Sequence, residues 1–229
     1  MFEDNVVIWL QYLFMERDKM RKKIVAIIMI ILGLGAMLVA GGLWLDNYME
    51  ENTAAEFSDN VLKTLIEIIE LGPPLDDDFV IVPEEEPEIE IWEEDETEMA
   101  TAEVDGTAYL GVLYIPRLNR SLPVTASWSY PSLRHTPGRF SGSIHDDTLV
   151  ILAHNYRAHF RGISDLGSGE PVYLTDVENI VHQYQVVSVR TVDPGSTYEV
   201  TYSDYDLTLF TCTTGGQART VVRCMRVGD

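Results

Sequence analysis

The sequence predicts an all-β domain, either a barrel or a sandwich, from residue 106 onward, preceded by one membrane helix and an acidic linker. Three observations lead to this prediction: short apolar runs separated by turn residues after residue 106, an uncharged apolar stretch at 24–45, and an acidic segment between them. Residues 46–105 hold 22 acidic side chains and one basic side chain, whereas residues 106–229 hold 11 and 10. The net charge of −21 therefore belongs to the linker, and the C-terminal domain is close to neutral.

Residues 24–45 are 22 consecutive uncharged, mainly apolar residues, enough for a helix of about 33 Å that crosses the hydrocarbon core of a bilayer. Arginines and lysines cluster within 1–23 and acidic residues follow the apolar stretch at once. The positive-inside rule therefore predicts a cytoplasmic segment at 1–23 and an extracellular remainder. A cleaved signal peptide is the alternative, but this apolar run is longer than the apolar core of a signal peptide. We predict an uncleaved, single-pass anchor in the cell membrane.

Residues 46–105 are predicted to form an extracellular linker that contains a short amphipathic helix. Between 51 and 71, apolar residues recur at helical spacing opposite acidic ones, so this helix could lie against the C-terminal domain or the membrane surface, or pair with a second copy. After the Gly-Pro-Pro at 72–74, the runs DDD, EEE and EEDE repel one another and favour an extended tether. Because DDDF and IEIW place apolar side chains within the acidic stretch, a lid over an active site is the alternative.

Seven apolar runs after residue 106 predict strands, and segments rich in Pro, Gly, Asp and Ser separate them as turns. One such turn segment is 136–147, and one short helix is predicted within 157–166. A domain of about 124 residues is long enough to bury a core. The predicted strands are 108–115, 121–125, 148–154, 171–175, 184–192, 207–212 and 219–227.

Three residues at predicted strand ends indicate nucleophilic catalysis. Cys212 closes one strand, His154 closes another, and Arg219 opens the strand after Cys212. A thiol has an unperturbed pKa near 8.5 and needs a basic or cationic neighbour to react at neutral pH. A hairpin would bring Arg219 beside Cys212, and the three would then act as nucleophile, proton carrier and oxyanion or substrate clamp. A buried, inert cysteine and a surface histidine are the alternative interpretation.

Cys224 raises the question of a disulfide, which an extracellular compartment permits. It lies five residues beyond Arg219, about 16 Å along a strand, whereas bridged Cα atoms lie within about 7 Å. If Arg219 pairs beside Cys212, Cys224 cannot reach the same thiol, and we predict that it is packed in the core. The sequence contains no CxxC or HExxH spacing, so neither a metal nor a cofactor is predicted.

At these residues the sequence resembles the sortases, the membrane-anchored cysteine transpeptidases of Gram-positive bacteria. The family signature TLxTC stands at 208–212, and the strand that follows begins with the family's arginine at Arg219. A histidine closes an apolar strand at His154, preceded here by alanine where the family usually has glycine. The resemblance extends over about residues 109–227 and implies the eight-stranded sortase β-barrel with short helices.

The resemblance also implies a mechanism. Cys212 would attack the Thr–Gly bond of an LPxTG-like sorting signal and form a thioacyl enzyme. His154 would protonate the leaving amine and later accept a proton from the incoming amine. Arg219 would hold the substrate and the oxyanion, and Thr211 would assist at the oxyanion site. Arg223 is the rival for the arginine role, but it lies about 13 Å further along the strand.

The implied partners are proteins with LPxTG-like sorting signals and an amine acceptor, either a peptidoglycan precursor or a pilin lysine. No cofactor and no nucleic acid are implied, and the sortase subclass stays open. Two other functions compete with this one. An L,D-transpeptidase also uses Cys and His, but the His-Gly-Cys neighbourhood expected of it is absent from the sequence. A catalytically silent barrel serving as a surface or pilus-assembly scaffold is the alternative from a different class.

Overall fold

The structure is a computed structural model that describes residues 2–71, 99–201 and 204–228. The chain divides into two units, Met1–Met49 and Glu50–Asp229. The spacer predicted after the Gly-Pro-Pro, with the DDDF and IEIW segments of the predicted lid, lies outside the described residues.

The first unit is helical. It belongs to α1, which spans Phe2–Leu71. The part from Lys19 onward is long and apolar enough to cross a membrane, with a mean hydropathy of 2.8 in its most apolar window and none of that window buried. A helix with an apolar, uncovered surface of this length fits a single N-terminal membrane anchor.

In the second unit, the last turns of α1 pack against two strands of the barrel. The helix buries one face because its apolar residues recur at intervals of four and align on one side. Of the arrangements that the sequence left open, packing against the C-terminal domain is the one observed. The contact joins Val61, Leu65 and Ile69 of the helix to Val104, Tyr109 and Val112.

The C-terminal part is a closed eight-stranded β-barrel, which confirms the predicted fold class. The strands β2 to β9 form the ring in the order β2-β3-β4-β5-β8-β9-β7-β6, and β6 pairs with β2 to close it. The short strand β1 extends the sheet beside β2. The strands are β1 Ala102–Val104, β2 Thr107–Ile115, β3 Arg120–Thr125, β4 Gly138–Ser141, β5 Leu149–Leu152, β6 Pro171–Asp176, β7 Val181–Val192, β8 Leu207–Cys212 and β9 Arg219–Arg226.

Gly111 makes the closure of the barrel possible. The β2–β3 register shifts between Tyr109 and Gly111, and Gly111 is also where β2 meets β6, opposite Asp176. Its φ is +149°, and a Cβ at this position would lie 2.0 Å from the backbone oxygen of Thr175. Only glycine therefore allows the backbones of β2 and β6 to approach closely enough to pair.

The barrel core is apolar and includes one of the two cysteines. Cys224 is fully buried within it, which confirms the prediction of a packed core thiol, and burial raises its pKa to about 12. Both cysteines are free. Large side chains that share the core with Cys224 include Leu113, Ile115, Phe160, Ile163, Tyr184 and Leu209.

The seven predicted strands are all present, with small differences at their ends, but two strands were missed. The prediction of a turn throughout 136–147 is wrong, because the segment contains β4. Proline and glycine in this segment suggest a turn, yet Gly138 is needed there, since a Cβ would lie 2.7 Å from the hydroxyl of Thr125.

The helix predicted within 157–166 is reduced to a 3₁₀ turn at Ile163–Asp165. Two short helices not predicted are α2, Tyr130–Leu133, and α3, Thr197–Thr201.

Candidate active site

Three neighbouring strands, β5, β8 and β9, deliver the predicted site residues to one end of the barrel. Strands β5 and β8 are parallel and pair Leu152 with Phe210. Two residues beyond this pair come His154, just past the end of β5, and Cys212, the last residue of β8, so the parallel register brings both to the same edge. Strand β9 runs antiparallel to β8, and its first residue, Arg219, is the direct partner of Cys212. The predicted return of Arg219 to Cys212 is therefore confirmed.

The loop between β8 and β9 holds the Arg219 side chain. Gly215 and Gly216 both have positive φ, 86° and 73°, which lets the chain reverse within a few residues. The Thr213 backbone amide donates to the Ala218 carbonyl at 2.9 Å and narrows the loop at its base. The Arg219 guanidinium donates to the carbonyl oxygens of Gly216 and Ala218 at 3.2 and 3.1 Å.

Thr211 connects the cysteine strand to the histidine strand. Its side chain is 4% exposed, and its hydroxyl donates to the Ala153 carbonyl at 2.7 Å. Ala153 in turn donates its backbone amide to the Phe210 carbonyl at 3.3 Å, which extends the parallel pairing beyond the end of β5. The residue immediately before His154 is therefore fixed to β8 from both sides.

His154, Thr211, Cys212 and Arg219 all line one cleft of about 300 Å³. Cys212 is partly exposed, because it is the last residue of its strand and part of its surface is accessible. A thiol, an imidazole and a guanidinium facing one accessible cleft provide a nucleophile, a proton carrier and an anion-binding group, the set needed for acyl transfer. The wall of the cleft is aromatic and apolar: Trp128, Tyr130, Leu133, Phe140, Val200 and Phe210.

The surroundings of His154 favour its neutral form. Burial lowers the pKa of His154 below its ordinary value, the carboxylate of Glu50 opposes this change, and the Arg134 guanidinium adds to it. The imidazole ring stacks on Tyr156, with ring centroids 4.8 Å apart and an interplanar angle of 27°. A neutral imidazole in a half-buried position can accept a proton, which suits a group that exchanges protons with a thiol or an amine.

Comparison with known protein families identifies the chain. Residues 113–227, half of the chain, match the family model described as the sortase domain. The chain belongs to the sortase family. The matched region contains the strands that carry His154, Thr211, Cys212 and Arg219, so the cleft of this sortase lies within the family domain.

Solved sortase structures are similar to this sortase over part of its length. Sortase C of Streptococcus pneumoniae is 26% identical, over 53% of this chain and 70% of that one, with a TM-score of 0.47. Sortase C1 of Streptococcus agalactiae is 28% identical, over 56% and 72%, with a TM-score of 0.49. A lid mutant of sortase A from Corynebacterium diphtheriae is 24% identical, over 52% and 70%, with a TM-score of 0.46. A search of curated protein sequences finds no significant match.

Arg223 lies away from the cleft of the sortase domain. It is on β9 opposite Thr208, four residues beyond Arg219. Its guanidinium donates to the Glu199 carbonyl at 2.8 Å and lies 5.2 Å from the centre of the Tyr205 ring. Among the described residues that line the cleft, Arg219 is present and Arg223 is not.

Sequence reasoning missed the residues that surround His154. Tyr156 stands two positions after the histidine, and its place in the same loop was the available signal. Glu50 and Arg134 come from distant parts of the chain and form an ion pair at 3.7 Å. Nothing in the local sequence of either indicates this, because only the packing of α1 on the barrel brings them to the histidine loop.

Proposed function

We propose that the chain is a sortase-type cysteine transpeptidase that cleaves an LPxTG-like sorting signal and joins the protein to an amine acceptor. One observation carries the proposal: the ends of three adjacent strands bring Cys212, His154 and Arg219 to a single cleft in a chain of the sortase family. The apolar wall of that cleft suits an extended peptide with apolar residues ahead of the scissile bond.

In the proposed reaction, the Cys212 sulfur attacks the carbonyl carbon of the Thr–Gly bond. The proton of the thiol passes to His154, which gives it to the leaving glycine amine as the C–N bond breaks and the thioacyl enzyme forms. The incoming amine then attacks the thioester, its proton passes through His154, and the Cys212 thiol is released. Arg219 donates hydrogen bonds to the oxyanion of each tetrahedral intermediate.

Thr211 acts in this mechanism by holding the histidine segment in place. Its hydroxyl binds the carbonyl of Ala153, directly before His154. The assistance at the oxyanion that the family resemblance implies would require this hydroxyl to leave the Ala153 carbonyl, since it has one proton to donate. Arg219 remains free to reorient toward a substrate, because the hydrogen bonds described for it go to carbonyl oxygens of its own loop rather than to a carboxylate.

The setting of the reaction follows from the sequence. We propose that residues 24–45 are a single membrane anchor with the basic segment 1–23 in the cytoplasm, that 46–105 are an extracellular linker, and that the catalytic barrel is 106–229. The clustered arginines and lysines before the apolar stretch support this orientation. The substrates would be proteins with sorting signals, and the acceptor a peptidoglycan precursor or a pilin lysine.

The full chain in detergent, incubated with an LPxTG peptide and an oligoglycine acceptor, tests the proposal. Mass spectrometry of the quenched protein should find the peptide's acyl fragment on Cys212, and the ligated product should accumulate. Cys212→Ala should form neither the adduct nor the product. Cys224 provides the internal control, since a buried thiol should carry no adduct. A wild-type chain that forms neither the adduct nor the product would favour the silent scaffold. A Cys212→Ala chain with unchanged turnover would rule out Cys212 as the nucleophile.

A further inference from the structure

The part of α1 that belongs to the second unit surrounds the histidine loop with three side chains. Glu50 forms an ion pair with Arg134, and Glu51 forms one with Arg161. One to two turns further on, the Phe57 ring packs on the His135 ring, with centroids 4.7 Å apart. The helix is therefore attached to the barrel on both sides of the loop that carries His154.

Glu50 also acts on a residue next to the cleft. Besides pairing with Arg134, its carboxylate lies beside Tyr156, and burial together with this carboxylate raises the pKa of Tyr156 to about 12. The same Tyr156 ring stacks on the His154 imidazole. A continuous contact thus runs from a helix carboxylate, through a tyrosine, to the imidazole that lines the cleft.

Tyr156 also contacts a second imidazole. Its ring lies 5.4 Å from the ring of His159, and His159 is fully buried and hydrogen-bonded through Nε2 to the His135 carbonyl at 3.0 Å. The Tyr156 ring therefore contacts two imidazoles, and we expect its hydroxyl to limit the rotation of the ring. Removal of the hydroxyl contact would leave the stack on His154 free to slide.

We propose that Glu50 and Tyr156 are positioning residues for His154: the helix carboxylate accepts a hydrogen bond from the tyrosine hydroxyl, and the stacked tyrosine ring holds the imidazole in the orientation that faces the cleft. The inference rests on the proposed function of His154 as the proton carrier. It gives the helix segment that starts at Glu50 an indirect part in the reaction, through Tyr156 and His154. Imidazole orientation decides how well a proton passes, so the effect falls on kcat rather than on peptide binding.

The groups that face His154 determine the sign of the pH effect. Glu50 comes from α1, Arg134 from the segment after α2, Tyr156 and His159 from the loop of His154 itself, and Cys212 and Arg219 from β8 and β9. The Glu50 carboxylate favours the imidazolium, whereas burial and the Arg134 guanidinium oppose it. Loss of the Glu50 charge therefore lowers the pKa of His154 further, and moves the acid limb of the pH–rate profile to lower pH.

The kinetic test uses the full chain in detergent with an LPxTG peptide and an oligoglycine acceptor. Glu50→Ala and Tyr156→Phe should each lower kcat about threefold to tenfold, the range of one lost hydrogen bond, with KM for the peptide unchanged. The double variant should be no slower than the slower single variant, because both changes break one link. Glu50→Gln should recover most of the rate, since its amide oxygen still accepts the tyrosine hydrogen bond. Glu67→Ala, an exposed glutamate on the same helix, is the matched control and should behave as wild type.

A second measurement does not depend on turnover. In the full chain labelled with ¹³C-histidine, the His154 signal is assigned by its loss in His154→Gln. Tyr156→Leu should shift this signal by removing the ring current of the stacked tyrosine, Glu50→Ala should shift it in the same direction, and Glu50→Gln should lower its pKa. If the rate losses of the two single variants multiply in the double variant, the positioning proposal is wrong. It is also wrong if the chemical shift and the pKa of His154 are unchanged in the Glu50 variants. A wild-type chain that turns over no peptide while these spectral shifts occur refutes the proposed function and leaves the positioning intact.

Discussion

The two ends of the β8–β9 ladder contain the same kinds of side chain in opposite arrangements. At one end, Cys212 pairs with Arg219 and both line the cleft with His154. At the other end, β9 finishes at Arg226, which joins an ion cluster with Asp147, Asp176 and His182. Imidazole and guanidinium groups are thus present at both ends of the ladder.

In the ion cluster, each polar group forms a hydrogen bond or an ion pair with another member. His182 binds Asp176 through Nε2 at 2.7 Å and accepts from the Arg226 guanidinium through Nδ1 at 2.9 Å. Arg226 also binds the Asp147 carboxylate at 2.6 Å and the Ile144 carbonyl at 2.6 Å. Because a guanidinium can only donate, Nδ1 accepts from Arg226 and Nε2 donates to Asp176. This closed set of hydrogen bonds stabilises the barrel and leaves little capacity for a ligand.

In the cleft, the corresponding groups are held but not neutralised. Arg219 is bound to carbonyl oxygens, and the Glu50 carboxylate acts both on His154 and on Tyr156 beside it. The difference shows that residue type alone does not distinguish a reactive cluster from a structural one. What distinguishes them is whether the charged groups use their hydrogen-bonding capacity on one another.

The two cysteines give the largest expected contrast. Cys212→Ala should lower turnover by about three orders of magnitude or more, because no other described group of the cleft is a comparable nucleophile. Its melting temperature should stay near that of wild type, since the side chain is only partly buried. Cys224→Ser should instead leave kcat per folded molecule unchanged and cost about 1–3 kcal/mol of stability, because a hydroxyl replaces a thiol in an apolar core. Steady-state kinetics and thermal unfolding of both variants make the comparison. A loss of stability in Cys212→Ala but not in Cys224→Ser would contradict the assignment of the catalytic role to Cys212 and the structural role to Cys224.

The two arginines at the ends of β9 give the next contrast. Arg219→Lys should lower kcat/KM about a hundredfold, since an ammonium cannot reproduce the planar donor pair that faces an oxyanion. Arg226→Lys, the same substitution in the ion cluster, should leave kcat/KM intact and lower the free energy of unfolding by about 1–3 kcal/mol, because Asp147 and His182 lose donors. Equal effects of the two substitutions on kcat/KM would show that Arg219 has no special part in the reaction.

A third prediction concerns the buried histidine behind Tyr156. Burial lowers the pKa of His159 to about 4, whereas the unfolded chain titrates at the ordinary value of 6.5. The unfolded state therefore takes up the proton first as the pH falls, which favours unfolding. The contribution of neutral His159 to the free energy of unfolding is complete above pH 6.5, and about 3 kcal/mol of it is lost between about pH 6.5 and pH 4.

His159→Gln should remove most of that acid destabilisation, measured as the melting temperature of the full chain from pH 7.5 to pH 4.5. His154 contributes in the same direction, because burial lowers its pKa as well. His145→Gln is the matched control, since His145 is exposed, and its pH dependence should follow wild type. A His159→Gln profile that also followed wild type would mean that His159 is not the group that titrates.

The smallest expected effect is at the link between the cysteine and histidine strands. Thr211→Val keeps the shape of the side chain and removes the hydrogen bond to the Ala153 carbonyl. We expect kcat to fall about threefold to tenfold and stability to fall by about 1 kcal/mol. Thr220→Val, the same substitution in the residue paired with Thr211 across β8–β9, should leave kcat unchanged. A similar loss in both variants would place the effect in general packing of the strands rather than in the histidine link.

Much of the barrel could be predicted from the sequence, because most of its strands are apolar runs bounded by turn residues. The strand β4 escaped notice since its glycine and the preceding proline are typical of turns, although close packing beside Thr125 requires the glycine. The strand β1 lies in a stretch that the surrounding acidic residues identified as linker. Both missed strands are short, and their pairing with neighbours stabilises them more than local preference does.

The sequence by itself determined the apolar helix, an all-β domain, the placement of a cysteine and an arginine at facing strand ends, and the burial of the second cysteine, whereas the eight-stranded barrel was implied by the resemblance to the sortases. These features depend on apolar periodicity and on the fixed geometry of strands, which act over a few residues. Only the tertiary structure decided what surrounds His154. Glu50 and Tyr156 are more than a hundred residues apart in the chain, and burial of one apolar helix face against the barrel, rather than any local preference, brings them together.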